Sequence, residues 1–455
     1  MKKHLVILLS VLSLIAFSSC KPPEDVEIDE REEKFEEGAT KVDMWIHDFE
    51  DWNNKLNFDQ RMDFNDNLDD GIQLEQKLVD TSSFDDQIRS ARETGSEPDI
   101  YMVSYGNLYK DIRNGYAADI TDLLPASSFD DLYDSARSGV QFDGRYYAYP
   151  ILFEPSTLLF YNESLLQTYG ETTEIPADWD GFLELLDTIK SNIEAQDVDG
   201  LHPFDVPKGV GLGWGSWGMQ LAATGGLALT EDWSESRLLD PGYEDLARLW
   251  QDLYLNRYVP LSSGDYTSII NDLGLEKLVM TTAGSWSIAT IINDYPDLVD
   301  EIGVAALPTF TGESDVPTAT NGGWTYVISE SSENKEEAAA VIEYLVAGST
   351  EKPLEFFEGA HYSKTSPRMS VQEAIIDEIP VQSTVPQDWI TTLSDVAELA
   401  PMEPIYPWDV SVAVSTMLEN VALGNSVDQE IDNAHEDVKD LIDANDLAGN
   451  NPRGG

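Results

Sequence analysis

The stretch Thr157-Leu-Leu-Phe-Tyr161 is followed from Asp178 by a helical pattern, and this pair of patterns indicates the fold class of the chain. The run at 157–161 is almost wholly apolar and predicts a buried strand. Asp178 is a residue type that caps helices, and apolar side chains recur behind it at helical spacing, at Phe182, Leu185, Leu186 and Ile189. A strand followed by an amphipathic helix is the unit of an α/β fold.

The same alternation continues in both directions along the chain. Further strand patterns are Lys41-Val-Asp-Met-Trp-Ile-His47, Asp99-Ile-Tyr-Met-Val103, Gly303-Val-Ala-Ala-Leu307 and Thr325-Tyr-Val-Ile-Ser329. Further helical stripes are Leu246, Leu249, Trp250 and Leu253, and Ala338, Val341, Ile342 and Leu345. We assign Trp179 and Trp250 to the core, because both lie on such stripes. The patterns together predict an α/β protein.

Charge excludes one class of partner. The chain has 455 residues, enough for two or three domains, and a formal net charge of -58. Repulsion from phosphate excludes nucleic acid as a partner. Self-repulsion among so many carboxylates weakens as salt shortens the screening length, so we expect an adaptation to a saline habitat.

The first residues resemble an export signal. Lys2 and Lys3 precede a short apolar run that ends in Phe17-Ser-Ser-Cys20, and this run is too short to cross a membrane as a helix. Cys20, the one cysteine of the chain, resembles the acylated residue of the bacterial lipobox. We therefore expect a signal peptide at 1–20, lipidation at Cys20 and an acidic tether at 21–38. The alternative is an ordinary signal peptide with a chance cysteine.

Tryptophans outside the helical stripes indicate a binding surface. An indole offers a flat apolar face, and neighbouring glycines allow a ligand to approach the backbone closely. Such plates with a few carboxylates suit sugars, whose rings have apolar faces and hydroxyl rims. The stretches concerned are Trp45-Ile-His-Asp48, Gly211-Leu-Gly-Trp-Gly-Ser-Trp-Gly218, Ala283-Gly-Ser-Trp286, Asn321-Gly-Gly-Trp324 and Tyr406-Pro-Trp408. The stretch at 211–218 is rich enough in glycine to predict a loop rather than a helix.

The sequence contains no recognisable catalytic or metal-binding motif. The histidines, His4, His47, His202, His361 and His435, have no zinc spacing. No nucleophile elbow or phosphate-binding loop occurs. We therefore predict no cofactor and no metal.

Several motifs in order resemble the extracellular solute-binding proteins of the maltose-binding type, which serve ABC importers. In chain order, the motifs are Gly115-Tyr-Ala-Ala-Asp-Ile-Thr-Asp122, Gly144-Arg-Tyr-Tyr-Ala-Tyr-Pro150, Leu159-Phe-Tyr-Asn-Glu-Ser-Leu-Leu166, Met280-Thr-Thr-Ala-Gly-Ser-Trp286, Ile302-Gly-Val-Ala-Ala-Leu-Pro308 and Gly322-Gly-Trp-Thr-Tyr-Val-Ile-Ser329. The resemblance implies a two-lobed periplasmic-binding-protein fold, type II-like, in which each lobe has a central sheet flanked by helices and crossing segments form a hinge. Lobe 1 would comprise 39–149 and 322–365, and lobe 2 would comprise 150–321 and 366–450. The stretch 52–70, rich in Asn and Asp, departs from the family pattern.

The resemblance also implies a ligand site between the lobes. Glu154 matches a position that commonly hydrogen-bonds sugar hydroxyls, and Trp286 and Trp408 match aromatic plates. The remaining positions implied as ligand contacts are His47, Asp48, Tyr105, Asn107, Trp214, Trp324 and Arg368.

The function implied is that of an extracytoplasmic receptor, in the periplasm or on the outer face of the cytoplasmic membrane. It would bind a neutral mono- or oligosaccharide as a monomer, deliver it to the permease subunits of an ABC importer, and do no chemistry itself. The alternatives are a secreted glycoside hydrolase, whose clefts also combine carboxylates and aromatic rings, and a sugar-sensing or adhesive lipoprotein without an importer.

Overall fold

A computed structural model describes residues 38–49, 51–67, 71–209, 212–262, 264, 266, 268–382 and 385–453. The predicted signal peptide, Cys20 and the tether up to residue 37 lie outside the described residues. Within the described part, no helix is both long and apolar enough to cross a membrane.

The strands are short apart from the first two. In chain order they are β1 (Thr40–Asp48), β2 (Ile72–Asp80), β3 (Ile100–Ser104), β4 (Gln141–Phe142), β5 (Arg145–Tyr146), β6 (Tyr149–Pro150), β7 (Glu154–Pro155), β8 (Leu158–Asn162), β9 (Met280–Ala283), β10 (Ile302–Ala305), β11 (Asn321–Gly322) and β12 (Trp324–Ile328).

Helices flank these strands. They are α1 (Asp51–Asn67), α2 (Phe84–Thr94), α3 (Tyr105–Arg113), α4 (Ala126–Asp130), α5 (Asp134–Val140), α6 (Glu163–Leu165), α7 (Trp179–Ala195), α8 (Leu212–Gly215), α9 (Trp217–Thr224), α10 (Pro241–Leu255), α11 (Ile270–Gly274), α12 (Ser287–Asp294), α13 (Lys335–Ile342), α14 (Glu351–Gly359), α15 (Met369–Gln382), α16 (Gln387–Leu399), α17 (Trp408–Ala422) and α18 (Val427–Ala444).

Two sheets organise the chain. The first has the order β2-β1-β3-β12-β6, with β1 parallel to β2 and β3, and β12 antiparallel to β3 and β6. Val42, Met44 and Ile46 of β1 are fully buried, as their alternation predicts. The second sheet has the order β10-β8-β9 and is antiparallel. The predicted α/β class is confirmed.

The chain crosses between the sheets at two adjacent places. It leaves the first sheet after β6, passes through β7 and enters the second at β8; it returns from β10 through β11 to β12. β7 and β11 pair with each other, with Gly322 opposite Glu154. The segment at 401–403 joins this pair, because the Asn321 N–H donates to the Pro401 carbonyl (2.7 Å) and the Glu403 N–H donates to the Asn321 carbonyl (2.9 Å).

The predicted helices form where their caps and stripes indicate. Asp178 caps α7, because its Oδ1 accepts the Gly181 N–H at 2.8 Å. Trp179 and Trp250 are almost fully buried, which confirms their assignment to the core.

The prediction of a loop at 211–218 is wrong, because α8 and α9 occupy most of this stretch. Its glycines are sites of close packing. A Cβ at Gly213 would lie 2.3 Å from the Trp408 ring, and one at Gly218 would lie 2.2 Å from the Thr318 carbonyl oxygen. Tertiary contact therefore overrides the low helix propensity of glycine here.

Candidate functional site

A cavity of about 1100 Å³ lies where the crossing segments meet. Its wall includes His47 at the end of β1, Trp324 at the start of β12, and Glu154 and Gly322 from the crossing pair. Trp214 of α8 and Trp286 beside α12 complete it from the side of the second sheet. Elements around both sheets therefore enclose one space.

The first aromatic cluster consists of His47, Phe49, Phe84 and Trp324. The His47 ring stacks on Phe84, with centroids 3.9 Å apart, and lies 4.3 Å from Trp324. Burial lowers the pKa of His47 to about 3, so the imidazole is neutral at physiological pH. His47 therefore acts as part of an apolar wall. Next to it, Asp48 Oδ1 accepts a hydrogen bond from Asn54 Nδ2 at 2.6 Å.

The second aromatic cluster consists of Trp214, Tyr266, Trp286 and Trp408. Trp214 lies nearly parallel to Tyr266 and 4.4 Å from the Trp408 ring. Tyr266 meets Trp286 edge to face at 4.9 Å. Trp214, Tyr266 and Trp286 line the cavity, whereas Trp408 is outside its lining and packs against Trp214. Both clusters therefore contribute aromatic rings to the lining of one cavity.

Carboxylates supply the polar groups near the crossing pair. Glu154 Oε2 accepts from Lys364 Nζ at 2.7 Å in a pair that is largely buried. This pair leaves Glu154 Oε1 with spare acceptor capacity.

Glu403 is the more unusual carboxyl of the cavity. Its Oε1 accepts the Gly106 N–H at 2.5 Å near the start of α3, and Arg453 Nη1 donates to its backbone carbonyl at 2.7 Å. Burial raises the pKa of Glu403 to about 7, against the lowering effects of the Gly106 N–H and the Arg453 charge. At neutral pH this side chain can both donate to and accept from a ligand hydroxyl.

Most of the predicted site residues line the cavity, but not all of them do. Tyr105 is fully buried at the start of α3, where it packs against Phe153 with ring centroids 5.4 Å apart. Arg368 reaches the cavity, but its guanidinium donates to Asp131 and to the Val346 and Gly348 carbonyls. The predicted residues in the lining are His47, Asp48, Asn107, Glu154, Trp214, Trp286, Trp324 and Arg368. Tyr105 and Trp408 are not part of it.

Sequence reasoning missed several lining residues. Tyr266 lies in no recognisable motif, and Glu403 and Lys364 look like ordinary charged residues in a chain with 85 acidic and 27 basic ones. The inward face of α1, with Trp52, was also missed; only the Asn-rich departure from the family pattern marked it. Among the described residues, no group of three or more metal-binding side chains occurs.

The fold thus consists of two sheets that are joined by paired crossing segments, with an aromatic cavity where these segments meet. The family profile described as bacterial extracellular solute-binding protein matches residues 50–347, and the chain belongs to this family. Members of the family bind solutes and are not enzymes, and this chain is accordingly a binding component rather than a hydrolase.

Solved structures share the fold over nearly the whole chain. The solute-binding protein of an ABC transporter from Thermotoga lettingae TMO, solved with alpha-D-tagatose, has 20% identity and a TM-score of 0.74, covering 89% of this chain and 100% of its own. The cyclic alpha-maltosyl-1,6-maltose binding protein of Arthrobacter globiformis has 20% identity and a TM-score of 0.72, covering 90% and 100%. The GacH receptor of Streptomyces glaucescens, solved unliganded and with acarbose, has 18% identity and a TM-score of 0.72, covering 91% and 100%. The predicted two-lobed periplasmic-binding-protein fold is therefore confirmed.

Proposed function

We propose that the chain is the substrate-binding component of an ABC importer and that it binds a neutral saccharide in this cavity. The observation that carries the proposal is that rings from both aromatic clusters line one cavity together with Glu154 and Glu403. Aromatic faces match the C–H faces of a sugar ring, and hydrogen bonds to charged groups contribute about 1.5–3 kcal/mol each. Three or four such contacts reach the ~8 kcal/mol of a micromolar complex.

The ligand would act by shifting a hinge equilibrium. Lobe 1 comprises 39–149 and 322–365, and lobe 2 comprises 150–321 and 366–450. The crossing strand β11 spans one of these boundaries and β7 follows another by a few residues, as expected for hinge segments. A sugar that contacts both aromatic clusters binds the closed form more tightly and so increases its population.

Two further points support a sugar as the ligand. The related structures carry tagatose or acarbose, or take their name from a cyclic maltosyl-maltose. Six basic residues line the cavity, and five of them, Arg89, Arg92, Lys352, Lys364 and Arg368, are each paired with a carboxylate; the sixth is Lys110. A neutral polyhydroxyl compound fits this balance.

A thermal-shift screen with neutral mono- and oligosaccharides, followed by product analysis of each hit, tests the proposal. A saccharide at about 100 times its Kd should stabilise the protein by about 2.7 kcal/mol and be recovered intact. If no saccharide raises the melting temperature, or if a hit is cleaved, the proposal is wrong.

The anchor would keep the receptor near its permease. Lipidation at Cys20 and a tether up to residue 38 would hold the binding part at the membrane surface while leaving it free to turn. We expect Cys20→Ser to move the protein from the membrane fraction to the soluble fraction without changing its affinity for the saccharide. Fractionation and calorimetry measure the two effects separately, and loss of binding in the variant would contradict the division into tether and receptor.

A further inference from the structure

Helix α1 buries amides on the face where a helix normally buries apolar side chains. Asn53, Asn57 and Gln60 follow one another at spacings of four and three residues, so they share one face. Their exposed fractions are 5%, 9% and 7%. Only with Phe64 does the same face become apolar and fully buried. A buried amide stripe on a helix is unusual, since buried polar groups cost free energy unless they are hydrogen-bonded.

Only some of the donor and acceptor atoms of these amides form hydrogen bonds within the protein. Asn57 Nδ2 donates to Asn53 Oδ1 at 2.9 Å. Gln60 Nε2 donates to the Lys352 carbonyl at 3.1 Å and to Glu355 Oε2 at 3.2 Å. Asn53 Nδ2 and Asn57 Oδ1 have no hydrogen-bond partner among the described residues. One donor and one acceptor, adjacent along the stripe, are therefore available.

These amides line the same cavity as the two aromatic clusters. Asn53, Asn57 and Gln60 belong to its wall, together with Trp52 and Phe356. The Trp52 and Phe356 rings lie 5.7 Å apart, and the buried Trp52 Nε1 has no hydrogen-bond partner in the part of the chain that the structure describes. We call the space between α1 and α14 the amide arm of the cavity. It combines aromatic surface with unused amide groups, which is the combination that a sugar unit requires.

The arm carries little unbalanced charge. Lys352 is its one basic lining residue from α14, and Lys352 Nζ contacts Glu355 Oε1 at 2.8 Å and Asp63 Oδ2 at 3.1 Å. The positive charge of Lys352 is thus offset by two carboxylates. Because the amide arm has no excess positive charge, it favours a neutral ligand over an anion.

We propose that the amide arm is a subsite for a further sugar unit, so that the ligand of this protein is an oligosaccharide rather than a monosaccharide. This inference rests on the function proposed above. A cavity of about 1100 Å³ supports it, because pockets for drug-sized ligands span about 300–1,000 Å³ and one pyranose would fill a small part of this space. One unit binds between the aromatic clusters, and the chain continues along α1.

Calorimetry with homologous sugars tests the arm. The probes are neutral homo-oligosaccharides of glucose, galactose, mannose and xylose, from one to four units long, on wild type, Asn57→Leu and Asn53→Ala. We expect wild-type affinity to rise at least tenfold between the monosaccharide and the longest ligand of the sugar that binds. Each arm variant should lose most of this gain and keep the wild-type affinity for the monosaccharide. Asn433→Leu, on the exposed face of α18, is the matched control and should behave as wild type.

The possible results of the calorimetry distinguish a failure of the amide-arm proposal from a failure of the proposed function. Affinity that does not depend on length, or a variant that weakens all lengths equally, overturns the arm and leaves the sugar receptor standing. No binding by any saccharide of the panel overturns both. Two variants are used because either one could fail to fold, and a melting curve identifies such a failure.

Discussion

Trp286 and Trp408 both belong to the second aromatic cluster, but they relate to the cavity in different ways. Trp286 is part of the wall, whereas Trp408 packs against Trp214 at 4.4 Å and is not in the lining. We expect Trp286→Ala to weaken saccharide binding about tenfold or more, about 1.4 kcal/mol, by removing a direct contact. Trp408→Ala should weaken it as strongly by releasing Trp214.

Calorimetry with the hit from the saccharide screen measures both effects. Trp408→Phe is the control, because a phenyl ring still packs against Trp214 and should keep most of the affinity. Melting curves should show little loss of fold in any of the three variants. Unchanged affinity in both alanine variants would mean that the second aromatic cluster is not the binding site.

Glu403 makes stability depend on pH. Its pKa is about 7 in the folded protein and 4.5 ordinarily, so between these values the native protein holds a proton that the unfolded chain has lost. The free energy of unfolding should therefore fall as pH rises through this window, by roughly 3 kcal/mol for a group shifted this far. Glu403→Gln removes the titration and keeps an acceptor oxygen for the Gly106 N–H.

Urea unfolding at pH 4.5 and pH 8 measures this effect. We expect Glu403→Gln and wild type to have similar stability at pH 4.5 and the variant to be more stable at pH 8. Glu398→Gln, at an exposed position of α16, controls for the loss of one negative charge. If the difference between Glu403→Gln and wild type does not change with pH, the carboxyl is not buried as described.

Among the secondary-structure elements, helix α7 allows a test of how much an N-terminal cap contributes to stability. Asp178 Oδ1 accepts the Gly181 N–H at 2.8 Å and so satisfies one of the unpaired donors at the helix start. Asp178→Ala should cost about 1 kcal/mol, whereas Asp178→Asn should be nearly neutral because asparagine caps equally well. Urea unfolding with an unchanged slope measures both; equal losses in the two variants would assign the effect to charge rather than to the cap.

The elements also show how far sequence reasoning reaches. The strand patterns at 41–47 and 157–161 and the stripe behind Asp178 became β1, β8 and α7, because apolar periodicity reports burial directly. The stretch at 211–218 did not follow its propensity, since its glycines serve contacts made by distant residues such as Trp408. The inward face of α1 gave no periodic apolar signal because three of its buried residues, Asn53, Asn57 and Gln60, are amides.

In the candidate site, too, some residues show in the local sequence and others depend on tertiary contacts. Tryptophans in glycine-rich stretches pointed to the cavity because an indole offers a flat apolar face and glycine allows close approach to the backbone. Glu403 could not be selected in advance, because its role depends on burial beside Gly106, and burial of one carboxylate among 85 acidic residues is a tertiary property.

At the scale of the whole molecule, the cavity and the chain crossings coincide. Glu154 lies on β7, Gly322 lies on β11, and Glu403 belongs to the segment at 401–403 beside them. Under the proposed function, a ligand at this point would touch the parts of the chain that a relative movement of the two sheets must bend. Binding and hinge bending would then be coupled by position alone, without a separate relay.

The charge of the whole molecule leads to the last prediction. With a formal net charge of -58, repulsion among carboxylates opposes folding. Salt shortens the screening length from about 10 Å at 0.1 M to about 3 Å at 1 M and so weakens this repulsion. Salt also weakens attractive pairs such as Lys439–Glu436, but exposed pairs of this kind contribute little to stability.

Repulsion should therefore dominate the response, and the melting temperature should rise between 0.1 and about 1 M NaCl. Melting curves in NaCl and in KCl measure the rise, which should be alike in the two salts because screening depends on ionic strength and not on the cation. Sucrose at matched osmolality is the control, since it stabilises proteins by exclusion from the surface without screening charge. A melting temperature that stays constant or falls with salt would mean that the carboxylates are too far apart, or too well solvated, to oppose the fold.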